Sequence, residues 1–325
     1  MCTAMAFTSA SRYFGRNLDF EFSYGESLVF LPRNHRLNFS HVPSSPRHYA
    51  MLGMAHLVGD IPLFYDAMNE EGLGIAGLHF VGNAVYLDPQ EGKKNVASYE
   101  LIPYLLSQAK NLDEVRALLK DLCLTNESFS PELPPSPLHY LISDKTSSIV
   151  VEFTSGGTQI FDAPVEILTN NPPYPEQMRR LVDIASLSEK QPETLFGKPI
   201  PISCYSRGLG AVGLPGDFSS PSRFLRGAFV LTHATKETGE LASLSAFFHA
   251  LASVEQDKGC VEVREGEYEY TIYSSCCDLE EKSYSYVTYG NRQITKVKMD
   301  DPSLEQSHLL VYPLVEGEHI LEAKP

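Results

Sequence analysis

The hydrophobic period of this chain changes several times with no linker to mark a boundary, and that limits its possible folds more than any other feature. Short apolar runs bounded by turn residues read as strands at Thr3–Thr8 and Ser27–Leu31, and Pro62–Tyr65 leads into the glycine-punctuated run Gly72–Phe80. Helical spacing then takes over at Tyr99–Ala109, where Pro103 either kinks a helix or marks its start. Asn111 and Glu114 resemble a capping box ahead of Val115, Leu118, Leu119 and Leu122, so an amphipathic helix is expected over 112–122. The proline-rich Ser128–Pro137 reads as a semi-rigid loop. Strands return at Leu138–Ile142 and Ser148–Phe153, Gly156-Gly157 makes a turn, and a further strand ends at Thr169–Pro172. Helices are expected at Glu176–Ile184, Pro221–Thr232 and Leu241–Val254, with a polar connection over 185–220. Tyr268–Ser275, Ser283–Tyr289 and Gln293–Met299 read as closing strands. Strands, helices, strands, helices and strands, without an internal repeat, suggest one layered α+β domain over 1–325 with mostly antiparallel sheets.

Charge narrows the function. A formal net charge of −15 argues against nucleic acid, because no basic face is available to neutralise phosphates. An anionic substrate would need local cations to overcome the repulsive field. The N-terminus has no basic segment followed by an apolar one, and no run of about 18 apolar residues occurs, so neither a secretory signal nor a spanning helix is expected. The 6 cysteines, at positions 2, 123, 204, 260, 276 and 277, lack the paired spacing of a zinc site. Free thiols in a reducing cytoplasm are the simplest reading, with Cys276-Cys277 as inert strand residues. His249 reads as a satisfied helix residue.

The chemistry starts at Met1-Cys2. Methionine is trimmed when the second residue is small, which would leave a cysteine carrying both a thiol and a free α-amine. An α-amine titrates at about 7.7–8.0, so it can act as a general base beside a thiol that needs little activation. Taken alone, Cys2 reads as a residue that merely happens to follow the start codon. If Thr3–Thr8 pairs with the stretch around Arg16, then Arg16 and Asp19 return beside the chain start. A carboxylate there can orient the amine, and a guanidinium can favour the thiolate. Spacing does not separate this from a turn with a solvated ion pair. Asn170, at a strand end, can donate to an oxyanion or form a turn with Pro172, and Asn171 reads as the turn residue. Pro215-Gly216-Asp217 is a turn, after which Ser219 or Ser220 would cap a helix carrying Arg223, a surface charge or a site residue.

The segments MCT, YFGRNLDF, NEEGLGIAGLHF, ILTNNP and GLPGDFSSPSRF, in this order, resemble the choloylglycine hydrolase family, which holds bile salt hydrolases and penicillin V acylases. The resemblance spans essentially the whole chain, including IYSSCCDLEEKSYSYVTYGNRQI, and is nearest the bile salt hydrolases of gut Gram-positive bacteria. It implies the four-layer α-β-β-α sandwich of N-terminal-nucleophile hydrolases, a homotetramer, and no cofactor. It makes Cys2 the nucleophile, Arg16 and Asp19 its supports, Asn170 the oxyanion donor and Arg223 a charged residue of the site. Leu18, Tyr24, Phe129, Leu133 and Leu138 resemble pocket positions suited to a sterol face, or else serve ordinary packing. His79 departs from the family, which carries Asn in bile salt hydrolases and Tyr in penicillin acylases. Tyr140 stands where Trp is common. The implied activity is hydrolysis of glycine- and taurine-conjugated bile salts. The alternatives are a penicillin V acylase or related N-acyl amidase, and a bile-acid binder without chemistry.

Overall fold

The computed structural model describes residues 1–193 and 202–324. Two antiparallel sheets stack face to face with helices on their outer faces. In spatial order the first sheet runs Ile167–Leu168, Cys2–Thr8, Arg12–Phe20, Glu267–Asp278, Ser283–Thr288 and Asn291–Lys298, and Val261–Arg264 also pairs with Glu267–Asp278. The second runs Gly157–Asp162, Ser148–Thr154, Leu138–Ser143, Gly74–His79, Ile61–Asn69, Met51–Val58, Glu26–Leu31 and Leu310–Pro313. This is the four-layer α-β-β-α sandwich.

The strand Arg12–Phe20 explains why the layers hold together. Successive side chains point to opposite faces. Tyr13 lies 6.3 Å from Phe247, and Asn17 Nδ2 donates to the Leu251 carbonyl at 3.0 Å, so one face meets the helix Glu240–Ala252. On the other face Phe14 lies flat against Gly74, and Arg16 Nη1 donates to the Gly77 carbonyl at 2.6 Å, which joins the two sheets. A second helix, Ser220–His233, covers the same outer face, while Leu101–Leu106 and Leu112–Leu119 cover the second sheet through Leu105, Val115, Ile75 and Val151.

Several elements differ from the reading of the sequence. The helix expected over 112–122 stops at Leu119, and Leu122–Thr125 is a strand paired in parallel with Lys94–Ala97. Leu122 fits a helical stripe and a buried strand equally well, so periodicity placed it on the wrong side of the break. Asn111 Oδ1 does accept the Glu114 N–H at 3.0 Å, but the Glu114 carboxylate turns to the Lys110 N–H instead of closing the box. Tyr99–Ala109 resolves into a 3₁₀ turn at Ser98–Glu100 and the helix Leu101–Leu106, with Pro103 in its first turn, where an N–H is not required. Glu176–Ile184 is a helix at Tyr174–Arg179 continued by a 3₁₀ turn. Met51–Val58 is a strand that Met, Gly, Ala and His concealed, since these residues carry little strand signal. Part of the polar connection, 194–201, lies outside the described residues, and the rest holds a single 3₁₀ turn at Leu209–Ala211.

Gly15 sits where its strand runs close against the backbone of Glu267–Asp278. A Cβ there would lie 1.9 Å from the Ser275 carbonyl oxygen. Gly15→Ala is therefore expected to cost about 1–3 kcal/mol through forced backbone movement, read as a lowered thermal midpoint, and an unchanged midpoint would show that the sheet yields freely there.

Candidate active site

The chain start is braced from both sides. Cys2 pairs with Leu18 and Ala4 with Arg16, while Ala4 also faces Leu168 on the short neighbouring strand. Two residues past Leu168 stands Asn170, and the Cys2 N–H donates to its Oδ1 at 2.8 Å. Asn170 is itself fixed at both ends of its backbone. Its N–H donates to Ser220 Oγ at 2.8 Å, and its carbonyl accepts from Gln177 Nε2 at 2.5 Å.

Arg223 enters from the first turn of Ser220–His233. Ser219 occupies the N-cap position, but its side chain makes no cap bond. Asp217 does that work, accepting from the Ser219 N–H at 3.0 Å and from Ser222 Oγ at 2.6 Å, which holds its pKa at about 2. The guanidinium, fully buried, donates to the Cys2 carbonyl at 2.7 Å, Thr3 Oγ1 at 2.5 Å and Asn170 Oδ1 at 2.8 Å. It also lies 3.9 Å from the Asp19 carboxylate. Burial pulls its pKa down, and Asp19, Cys2 and Glu269 act in the other direction.

Asp19 and Arg16 are arranged differently from the reading of the sequence. Strand alternation puts the Asp19 carboxylate on the face opposite the Cys2 side chain, where it accepts from Thr271 Oγ1 at 2.6 Å and Gln256 Nε2 at 3.1 Å. The backbone carbonyl of Asp19 is what accepts the terminal ammonium of Met1, at 2.9 Å, and the same ammonium forms an ion pair with Glu269. Arg16 projects from the opposite face, so the cation beside Asp19 is Arg223. Arg16 Nη1 donates to the Gly77 and Tyr65 carbonyls at 2.6 and 3.1 Å, and its Nη2 has no partner among the described residues. Burial lowers the Arg16 pKa, but Cys2, Tyr273, Asp66 and Asp19 together raise it above its ordinary value. Asp66, buried nearby, accepts from Tyr273 Oη at 2.5 Å, Tyr284 Oη at 2.7 Å and Ser275 Oγ at 3.0 Å.

Asn170 links Cys2 to the backbone of His79. Asn170 Nδ2 spends one hydrogen on the His79 carbonyl at 2.8 Å and keeps a second. The Phe80 N–H bonds across to Pro137, so antiparallel alternation directs the backbone groups of His79 to the opposite edge. Pairing with the strand on that edge has already ended at Asp66–Ala76. The His79 ring lies edge-on to Phe20 at 5.6 Å. Burial first, then the terminal ammonium, Arg16 and His139, lower its pKa to about 4.

Above Cys2 opens an apolar cleft. Leu18, Tyr24, Phe129, Leu133 and Leu138 line it together with Cys2, Arg16, Asp19 and His79. Asn170 and Arg223 stand behind the cysteine rather than in the cleft wall. The proline-rich stretch is pinned by Tyr86, which accepts the Leu138 N–H at 2.7 Å, and by Tyr99, edge-on to Phe129 at 5.3 Å. Tyr140 packs in the core beside Phe153, and His249 is exposed on its helix. Burial raises the thiol pKa of Cys276 and Cys277 well above the ordinary value, which leaves both unreactive. The sequence reading missed Thr3, Gln256, Glu269 and Thr271. Only the two-residue spacing of Glu269 and Thr271 on one strand hinted that they share a face.

A nucleophilic side chain at the chain start, set in an α-β-β-α sandwich, defines the N-terminal-nucleophile hydrolases. Residues 2–312 match the family of linear amide C–N hydrolases, choloylglycine hydrolase family, and the chain belongs to it. It is similar to the bile salt hydrolase/transferase of Lactiplantibacillus plantarum, 46% identical over 97% of both chains. The bile salt hydrolase/transferase of Clostridium perfringens is 36% identical over 96% of both. Among solved structures, a C2A mutant of the conjugated bile acid hydrolase from Clostridium perfringens superposes with a TM-score of 0.92, at 34% identity and complete coverage of both chains. Penicillin V acylase from Agrobacterium tumefaciens shares the fold at a TM-score of 0.78 and 18% identity, over 97% of this chain and 92% of its own.

With a pKa of about 4, the His79 imidazole is neutral at pH 5 and above. A proton NMR titration should give its midpoint near 4, and His79→Asn should keep the shape of the pH–activity profile between 5 and 8 while altering its height or the substrate ranking. A midpoint near 6.5, the unperturbed value, would show that the ring is solvated instead of desolvated by the cleft.

Proposed function

We propose that this chain hydrolyses the amide bond of glycine- and taurine-conjugated bile salts, with Cys2 as the nucleophile once Met1 is removed. The observation that carries the reading is the buried Cys2 nitrogen, held 2.8 Å from Asn170 Oδ1 at the foot of an apolar cleft. The relatives named above supply the substrate class.

In the trimmed enzyme the α-amine of Cys2 takes the thiol proton, and Sγ bonds to the amide carbon. Charge develops on the carbonyl oxygen, where the free hydrogen of Asn170 Nδ2 and the His79 N–H receive it. Collapse breaks the C–N bond, and the α-ammonium passes its proton to the departing glycine or taurine nitrogen. Water, deprotonated by the same amine, then cleaves the thioester and frees the bile acid. Arg16 favours the thiolate through its positive charge. Arg223 holds the Cys2 carbonyl and Asn170 in register, and Asp19 balances that guanidinium. The sterol body would lie along Leu18, Tyr24, Phe129, Leu133 and Leu138, as expected of a mostly apolar ligand site with few polar anchors. We place the enzyme in the cytoplasm as a homotetramer. Its free cysteines and the exposed Val182, Tyr205 and Val212 support that reading.

The test pairs intact mass with turnover of taurocholate, glycocholate and penicillin V. Loss of Met1 and preference for the bile salts are expected, while a large preference for penicillin V would overturn the substrate assignment. Cys2→Ala should abolish hydrolysis and leave folding and ligand binding largely intact, and near-normal turnover would identify a different nucleophile. Asn170→Ala should lower kcat about 10²–10³-fold, with a smaller loss removing it from the oxyanion site.

A further inference from the structure

Glu269 is a buried carboxylate that this reaction does not use. The strand Glu267–Asp278 brings it to the chain start, where it forms an ion pair with the Met1 ammonium, and its side chain is 7% exposed. Its other polar neighbour, Gln256 Nε2, is 3.5 Å away and is shared with Asp19. A carboxylate so placed is costly to bury without a cation. Trimming Met1 removes that cation and creates a new ammonium one residue along the same strand, about 3.3 Å further on.

The charges around this point come from every neighbouring element. Arg12–Phe20 contributes Arg16 and Asp19, Ser220–His233 contributes Arg223, Gly74–His79 contributes the neutral His79, and Asp66 lies behind Arg16. Asp19 is already engaged by Arg223, Thr271 and Gln256. Glu269, which trimming leaves without its Met1 partner, is therefore a carboxylate placed to meet the new ammonium alongside Asp19.

We infer that Glu269 is a counter-ion of the Cys2 ammonium in the trimmed enzyme, a positioning residue that helps set where this amine gains and loses its proton. The inference rests on the reading of the Cys2 amine as the base. Glu269 takes no proton itself. It stabilises the ammonium that holds the thiol proton during attack, and so the thiolate–ammonium pair. An opposite charge within ~4–6 Å raises an amine pKa by about 1–3 units. Removing the carboxylate should make the amine a weaker base that loses its proton at lower pH.

The experiment compares wild type, Glu269→Gln and Glu269→Asp, each released from a cleavable fusion so that Cys2 is the first residue, as verified by intact mass. For Glu269→Gln the ascending limb of kcat/KM against pH should move about one unit or more to lower pH, with a reduced plateau and KM within about twofold. The pH dependence of Cys2 alkylation by iodoacetamide, without substrate, should move in the same direction. Glu269→Asp keeps the charge at a shorter reach, so its limb should fall between the other two, and it carries the test if the Gln variant folds poorly. Limbs that superimpose on wild type in folded, trimmed variants overturn the inference and leave the reaction standing. Full activity in wild-type protein that retains Met1 overturns the amine as base, a failure seen in mass before any variant is compared.

Discussion

One buried guanidinium organises the chain start. Arg223 reaches from a helix across the first sheet to the Cys2 carbonyl, the Thr3 hydroxyl, the Asn170 amide oxygen and the Asp19 carboxylate. Those partners come from three separate stretches of chain, and the guanidinium ties them to one another. A planar fork with five donors can satisfy them together where a lysine could not. Its own burial is tolerable because each direction in which it points is answered by an acceptor or a negative charge.

The same logic of opposed charges runs through the site. The chain as a whole carries a net charge of −15, yet two guanidiniums stand within reach of one cysteine. Arg16 leaves the sheet on its inner face and Arg223 approaches the outer face from its helix, with Asp66 near one and Asp19 near the other. The result is a cluster of buried, mutually compensated charges around one cysteine inside an acidic molecule. It is held by hydroxyl groups of Tyr273, Tyr284, Ser275 and Thr271 that keep the carboxylates hydrogen-bonded.

What could be read from the sequence followed from local signals. Apolar runs marked most central strands, and helical spacing marked the outer helices, because those elements bury one face or read as continuous apolar segments. The strand Arg12–Phe20 escaped a direct reading, since it is buried on both faces yet carries Arg, Asn and Asp whose partners come from elsewhere in the fold. Motif resemblance brought Cys2, Arg16, Asp19, Asn170 and Arg223 together, and the structure clusters them at the chain start. The direction in which Asp19 points was not legible. It depends on strand register and on Thr271 and Gln256, about 250 residues away by sequence position. Glu269 was invisible for the same reason.

The cleft wall and the chemistry belong to different parts of the architecture. Cys2, Arg16 and Asp19 sit on paired strands locked between a helix and a second sheet, whereas Phe129 and Leu133 ride on a proline-rich loop pinned by Tyr86, Tyr99 and the Phe80 N–H. A loop of this kind can change length and side chains without disturbing the register that sets the reacting atoms. Selection for a new acyl group can therefore work on 128–137 while the catalytic frame stays fixed, which makes this fold a durable chassis on which amide specificity can drift.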